Sequence, residues 1–479
     1  MFRVNVVHSL RKFCSFSKVN KGKCVLEFKD IPAAKGLPLI GTTLDILGAG
    51  SAPKFHEYIH ERHKKLGSMF RERIGSLECL FISDPEVIRE IFLHEGKYPR
   101  HPIPDAWKLY ERKHRNKRGL LFMDGEDWLY HRKIMNTLLL NRDFSPFVDP
   151  IKNSVGRLMA KWEASEPIKP LENIESDLYR WSLETIINLT VGSSYTEIQP
   201  EIEESLEKLS RVLHRVFKTS AKLFLLPPQI CEFLGTRSWR EFEDSVGETL
   251  AIGAEIIKKC LRLSNLQNGI LQEMQAFEIP QEYIERIIVD LIIAAGDTTS
   301  FSMLWCLHLL SKHPDVQENI RKEVVGRDSA NADEIPILRA TIRETLRLFP
   351  VAPFVGRVVG GKDTILGNYR IDQEVMGIVS LYTSSRDPRN FHNPNQFQPQ
   401  RWMRSEGASE HKPQASLPFA LGARSCIGQK IAMKQMCELL RQLLQHFHLK
   451  NYTGPVNPIL QLITVPDKKI EIGLRKIHL

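Results

Sequence analysis

From about residue 125 to residue 325, apolar side chains recur at spacings of three and four, the signature of helices that bury one face. The stretch 282–312 reads as one long, largely apolar helix, too polar at its ends to span a membrane. A further helix runs through Leu338–Leu348 and stops at Pro350, where the ring forbids continuation. Ahead of this region, residues 68–92 change period. Met69-Phe70-Arg71-Glu72 and Leu80-Phe81-Ile82 read as two strands, and Pro85 opens a helix at the turn where its missing N–H costs nothing. Beyond Pro350, Val355–Val359, Tyr369–Ile371 and Val375–Leu381 read as strands. An irregular stretch over 383–425 leads into a last helix from roughly 427 to 446, and Ile459–Val465 with Lys469–Leu474 reads as a hairpin. The pattern predicts a mainly α fold with small β-sheets (α+β). The chemical signals below come from widely spaced parts of the chain, which argues for one domain rather than three.

Charge and cysteine usage narrow the setting. A net charge of +9 suits nucleic acid, an anionic membrane surface or an acidic protein partner. No finger spacing and no aromatic-basic ribonucleoprotein signature accompanies it, so nucleic acid is excluded first. The eight cysteines are scattered and form no C-x-x-C pair, as in a reducing compartment. Residues 1–26 carry Arg3, Arg11, Lys12, Lys18, Lys21 and Lys23 and no acid. A basic, acid-free, serine-containing leader reads as a mitochondrial presequence rather than a secretory signal; a plain basic tail is the alternative. Residues 27–479 are then the folded domain, which opens with a stiff lead-in from Ile31-Pro32 to Gly41.

The strongest local signal is Pro418-Phe419-Ala420-Leu421-Gly422-Ala423-Arg424-Ser425-Cys426-Ile427-Gly428. Cys426 lies between two glycines and just before a helix, whose free N–H groups and positive dipole end stabilise a thiolate. A lone cysteine is ordinarily buried filler, but here a whole F-x-x-G-x-R-x-C-x-G frame is filled. Such a thiolate suits haem iron, to which it donates electron density that favours O–O cleavage. Phe419 shields the sulfur in this reading, and Arg424 meets a haem propionate.

This segment resembles the cysteine loop of the cytochrome P-450 family, and the resemblance extends over nearly the whole chain. It implies haem b as cofactor and monooxygenase chemistry. Glu344-Thr345-Leu346-Arg347 resembles the family's E-x-x-R pair, an i,i+3 ion pair on one helix face. The spacing alone is weak, since Glu86/Arg89 and Glu318/Arg321 share it. Phe397-Gln398-Pro399-Gln400-Arg401-Trp402 resembles the partner segment, so Arg401 is expected to complete a buried Arg–Glu–Arg cluster of structural role. Ala294-Ala295-Gly296-Asp297-Thr298-Thr299 resembles the distal helix motif, in which an acid–alcohol pair relays protons to dioxygen. Thr298 then meets the oxygen and Asp297 supplies protons from solvent. The plain alternative is a threonine bonded back to its own helix. Ala295 departs from the family's usual glycine. By the same resemblance Trp128, Arg132 and Arg357 contact haem, although Trp128 fits a core position equally well.

No apolar anchor precedes the domain, and with the basic leader this points to the family's mitochondrial branch, fed by an adrenodoxin-like ferredoxin at the matrix side of the inner membrane. Arg339 and Arg343 project from one face at i,i+4, where that branch docks its ferredoxin. Gln429 and Lys430 stand where two arginines are usual, which weakens that part of the surface. Within the branch, His94–Pro99 with Pro104–Trp107, Leu178–Ser182 and Pro350–Arg357 resemble the arthropod ecdysteroid 2-hydroxylases. A sterol-derived substrate and peripheral membrane contact follow as expectations. Ile103, Trp107, Phe122, Ala294, Ala295, Val351, Val355 and Leu462 are the expected pocket. The rivals are a haem-thiolate isomerase or dehydratase needing no electrons, and a non-catalytic haem sensor or carrier.

Overall fold

In the computed structural model the described residues are 25–477, apart from 142, 166–168, 225, 264–265, 327–330, 362 and 404–410. The expected presequence therefore lies almost wholly outside them. Its last residue does not: Leu26 pairs with Tyr369, its N–H donating to the Asn368 carbonyl at 2.9 Å.

The N-terminal part holds α1 (Thr43–Gly48), α2 (Phe55–Leu66), β1 (Met69–Ile74), β2 (Leu77–Ile82) and α3 (Pro85–Leu93). Asp84 caps α3 by accepting from the N–H groups of Glu86 and Val87, with Pro85 in the first turn. The helical body follows as α4 (Asp105–His114), α5 (Gly125–Leu139), α6 (Ser145–Glu163), α7 (Ile174–Val191), α8 (Tyr195–Lys222), α9 (Pro228–Phe233), α10 (Arg237–Leu261), α11 (Ile270–Ala276) and α12 (Gln281–Lys312). The chain continues through α13 (Pro314–Val324) and α14 (Pro336–Leu348). Then come β3 (Phe354–Val359), β4 (Ile365–Leu366), β5 (Tyr369–Arg370), β6 (Val375–Ser380) and α15 (Leu381–Ser384). The last elements are α16 (Gln429–His446), β7 (Phe447–Asn451), β8 (Pro458–Gln461), β9 (Ile463–Pro466) and β10 (Ile472–Lys476).

α12 is the axis. It is long and apolar enough to cross a membrane, but most of that stretch is buried inside the protein, against α7, α8, α10, α14 and α16. It ends at His313 because the following Pro314 drives the residue before it out of helical backbone. Phe349 ends α14 ahead of Pro350 in the same way. One apolar cluster joins α4 to α8 and α10 with the first half of α12; a second joins α6, α7 and α14 with its second half and with α16.

The main sheet has the order β1-β2-β6-β3, with β2 parallel to β6 and the other pairs antiparallel. The C-terminal hairpin differs from expectation. Ile459–Val465 is not one strand: it folds back on itself at Leu462, in left-handed backbone at φ 66°, to pair β8 with β9. The second expected strand pairs instead with β7, which directly follows α16 and was not read as a strand from sequence.

Candidate active site

The segment before α16 is a tight loop closed by the Cys426 N–H, which donates to the Phe419 carbonyl at 2.9 Å. Gly422 has to be glycine twice over. Its φ is +79°, and a Cβ there would stand 1.9 Å from Glu95 Oε1. Gly428 is different. Its φ is −87°, and a Cβ would meet no protein atom within 4 Å, so nothing in the chain itself demands glycine there. Space left open beside the cysteine is what a flat ligand lying against the loop requires.

Cys426 is exposed, whereas Cys79, Cys231, Cys260, Cys306 and Cys437 are buried. Even so, protein surrounds it closely enough for desolvation to push its thiol pKa up. The Gly428 N–H and the Arg132 charge work the other way and favour thiolate. No side chain caps the first turn of α16, which leaves its dipole end to act on the sulfur.

Around this loop the structure gathers cations. Arg132, 6% exposed on α5, donates to the Ser425 carbonyl at 2.7 Å, and its Nε has no partner. Arg424 donates to the Pro99 and Met123 carbonyls and to Asp124 at 2.5 Å, and lies 4.3 Å over the Trp128 ring. Trp128 is fully buried, so it serves both the core and Arg424. Arg357, on β3, pairs with Glu95 at 2.9 Å, while the other Glu95 oxygen accepts from the Ala423 N–H. His101 lies among them with neither ring nitrogen bonded, and burial with the charges of Arg424 and Arg357 pushes it down to about 4. Desolvation, then repulsion from Arg357 and Arg132, brings Arg424 down to about 10 despite Asp124 and Glu95. Three arginines against two carboxylates leave positive charge over, together with unused donors. A ligand bearing carboxylates would relieve both. Glu95, His101 and Asp124 were not assigned this role from sequence. They lie some 300 residues from the cysteine loop, and no local spacing signals them.

Below the loop, Glu344 and Arg347 on α14 are both fully buried. The Glu344 carboxylate accepts from Arg347 Nε and Nη2 (2.9 and 2.8 Å), Arg401 Nε (3.0 Å), the Gln398 N–H and the Trp402 indole. Arg347 spends its remaining donors on the Ser385, Pro394 and Gln396 carbonyls. Every group is satisfied, which is what makes such a buried cluster tolerable. By contrast Glu318/Arg321 is a partly exposed pair.

Within the otherwise buried stretch 287–311 of α12, Leu291, Ala294, Ala295 and Thr298 form a less covered strip. The hydroxyl of Thr298 donates to the Ala294 carbonyl at 2.7 Å, the back-bonded alternative. Asp297 lies off the strip. It is 0% exposed, and neither carboxylate oxygen makes a hydrogen bond of normal geometry. Burial raises its pKa to about 8. Asp297, expected to supply protons from solvent, has no solvent contact of its own: a residue one position from Thr298 points about 100° away, here into protein. Gly296, which sequence reasoning passed over, lets α12 approach α8, since a Cβ would lie 2.3 Å from a Leu213 methyl.

Of the expected pocket residues, Ile103, Trp107, Phe122 and Ala295 share one apolar cluster, with Ala294 exposed beside it. Trp107 is more core than lining: its indole donates to Ser220 and its ring packs on Phe122 and Phe242. Arg118, stacked over Trp107 and Phe122, ties this group to Asp290 of α12 at 2.9 Å. Val351 belongs to a second cluster and Val355 to a third, while Leu462 sits at the hairpin turn. The structure does not bring these three into the first group.

The family model described as Cytochrome P450 matches residues 31–474. The chain belongs to the cytochrome P450 family. It is 39% identical over 470 residues to "Cytochrome P450 315a1, mitochondrial" of Drosophila melanogaster, covering 94% of this chain and 89% of that protein. It is 30% identical over 443 residues to the mitochondrial cholesterol side-chain cleavage enzyme of Ovis aries, covering 88% and 84%. "Cytochrome P450 27C1" of Danio rerio is 28% identical over 456 residues, covering 90% and 84%. As a P450, the protein is a haem-thiolate monooxygenase.

The remaining predicted residues are surface cations. Arg339 is exposed. Arg343 is half-buried and stacks on Trp402 at 4.1 Å, so it presents less free charge than Arg339. Lys430 is exposed, 5.4 Å from the centre of the Phe144 ring.

Proposed function

We propose that this P450 is a mitochondrial enzyme that hydroxylates a sterol-derived substrate with dioxygen and ferredoxin-supplied electrons, and that the reaction is 2-hydroxylation of an ecdysteroid. Haem, when bound, supplies dioxygen activation and C–H oxidation. Cys426 holds the iron as thiolate, and Arg132, Arg357 and Arg424 hold the propionates, with His101 a neutral donor among them. Thr298, on the open strip of α12, orients the oxygen side of the site, and Asp297 holds the proton delivered there. Glu344, Arg347 and Arg401 brace the segment 385–402 and take no part in the chemistry.

The observation that carries the site assignment is the exposed Cys426 between Gly422 and Gly428 under a surplus of arginine charge. The substrate reading is supported by the Drosophila relative and by the segments His94–Pro99, Leu178–Ser182 and Pro350–Arg357. Membrane contact is supported by an apolar surface on and beside α9. Phe233 is 86% and Leu234 66% exposed, Phe224 packs on Phe55 at 5.4 Å, and Leu39, Leu44 and Leu47 are exposed as well. Arg237 and Lys222 flank α9 and share one carboxylate, Glu241, which leaves one positive charge over, as at an anionic lipid surface.

Incubation with ferredoxin, its reductase and a panel of ecdysteroid precursors tests the reading. A single new hydroxyl at C2, dependent on ferredoxin, is expected. Turnover without any reductase would favour an isomerase or dehydratase instead.

A further inference from the structure

Asp297 poses a problem of supply. A carboxyl that hands on one proton per turnover has to be recharged, yet no part of it reaches solvent. The groups around it are few. From α7, Glu175 and Tyr179 face it; α8 brings His214 to Tyr179, with Lys218 near His214; its own helix adds Ser300, bonded back to the Gly296 carbonyl. On the α16 side, Gln435 reaches only the neighbouring Thr299.

Tyr179 is the group in touch with both sides. Its hydroxyl is turned to the Asp297 carboxyl closely enough to lower the acid's pKa, although the contact lacks normal hydrogen-bond geometry. The same hydroxyl lies 3.3 Å from His214 Nδ1. Phe301 packs against both rings, at 5.6 and 5.8 Å, and fixes their arrangement. His214 is only partly buried, between the exposed Arg211, Arg215 and Lys218 on α8. Burial and Lys218 hold its pKa below the usual histidine value, which makes its cation a ready donor.

We infer that Tyr179 and His214 form the inlet through which solvent protons reach Asp297. His214 takes a proton from water at one ring nitrogen and releases one from the other to the Tyr179 oxygen. Tyr179 passes its hydroxyl proton to the Asp297 carboxylate. One proton enters and no heavy-atom bond changes; each pass leaves His214 in its other tautomer, which a ring flip resets, and the Tyr179 hydroxyl rotates back once Asp297 has delivered. This rests on the proton-relay role proposed above for Asp297. Tyr179 and His214 are positioning residues, since they act through it.

The test compares holoenzyme variants Tyr179→Phe, His214→Leu, Glu175→Gln and Asp297→Asn, each first shown to bind haem. Tyr179→Phe is expected to lower the turnover number by roughly tenfold or more, within the span of general acid–base catalysis. Substrate KM is expected to stay constant, while the solvent isotope effect and the fraction of electrons lost to peroxide rise. His214→Leu should move the same readouts in the same direction. Tyr179→Phe added to Asp297→Asn should cost nothing more. Independently of turnover, the infrared band of the protonated Asp297 carboxyl, identified by its loss in Asp297→Asn, should shift in Tyr179→Phe. Wild-type isotope effect and coupling in Tyr179→Phe would overturn the inlet. So would reproduction of the loss by Glu175→Gln and not by His214→Leu. A wild-type enzyme that turns over no substrate would count against the proposed function, while the infrared shift still reads the Tyr179 contact.

Discussion

The carboxylate of Glu95 occupies the space that a side chain on Gly422 would need, 1.9 Å from the ideal Cβ position. One acid thereby joins the cysteine loop, through the Ala423 N–H, to Arg357 on the main sheet. Gly422→Ala has to strain a positive φ and expel Glu95. A loss of about 1–3 kcal/mol in unfolding stability is expected, together with poor haem retention. Gly428→Ala makes the informative contrast, with unfolding of the haem-free protein unchanged and haem content lowered. Equal effects of the two substitutions in denaturant titrations of haem-free protein would contradict this distinction.

Glu344→Gln should be far more damaging than any surface ion-pair change. It leaves Arg347 fully buried beside a neutral partner, a situation that costs about 3–5 kcal/mol. Burial pushes the Glu344 pKa up, but the bonds and charges from Arg347 and Arg401 outweigh it, and the net shift is down. A depressed folded pKa means stability that is present above the unfolded carboxylate pKa and lost as pH falls through the folded one. Wild type should therefore lose stability on acidification through that window, and Glu344→Gln should lose less. Parallel stability–pH curves would remove Glu344 from this account.

Reversal of Arg339 to Glu should slow reduction by ferredoxin, more at low salt than at high, because screening hides an exposed charge. Arg343→Glu should slow it less per unit charge but also cost stability, because its guanidinium rests on Trp402 beside the Glu344 cluster. Stopped-flow reduction at two ionic strengths decides it. Unchanged low-salt rates in Arg339→Glu would take this helix face out of the docking surface.

Phe233→Ser and Leu234→Ser should weaken binding to cardiolipin-containing vesicles by several-fold without altering the thermal transition, since both side chains are largely exposed. Undiminished co-sedimentation with those vesicles would point to another membrane contact.

Much of this architecture was legible from local rules. Pro85, Pro314 and Pro350 punctuate helices where their rings require it, and the filled frame around Cys426 marked the loop before any geometry was known. The Glu344 cluster was legible only because Arg401-Trp402 repeated a second half of the same pattern. What escaped was of two kinds. Side chains that meet across more than a hundred residues, such as Glu95 with Arg357 or Tyr179 with Asp297, leave no periodic trace. Direction on a helix was the other. Neighbouring Asp297 and Thr298 look like a pair in sequence, yet helical rotation sends one into the protein and the other to the open strip. The turn at Leu462 was hidden for a related reason, because a leucine in left-handed backbone carries no turn signature.

The most direct test of the central claim is the dithionite-reduced, carbon monoxide difference spectrum of the purified protein alongside Cys426→Ser. Wild type should show the long-wavelength Soret band of axial thiolate ligation, and Cys426→Ser should lose it. A long-wavelength band that survives in Cys426→Ser, or well-folded wild type that takes up no haem, would contradict the assignment of Cys426 as the iron ligand.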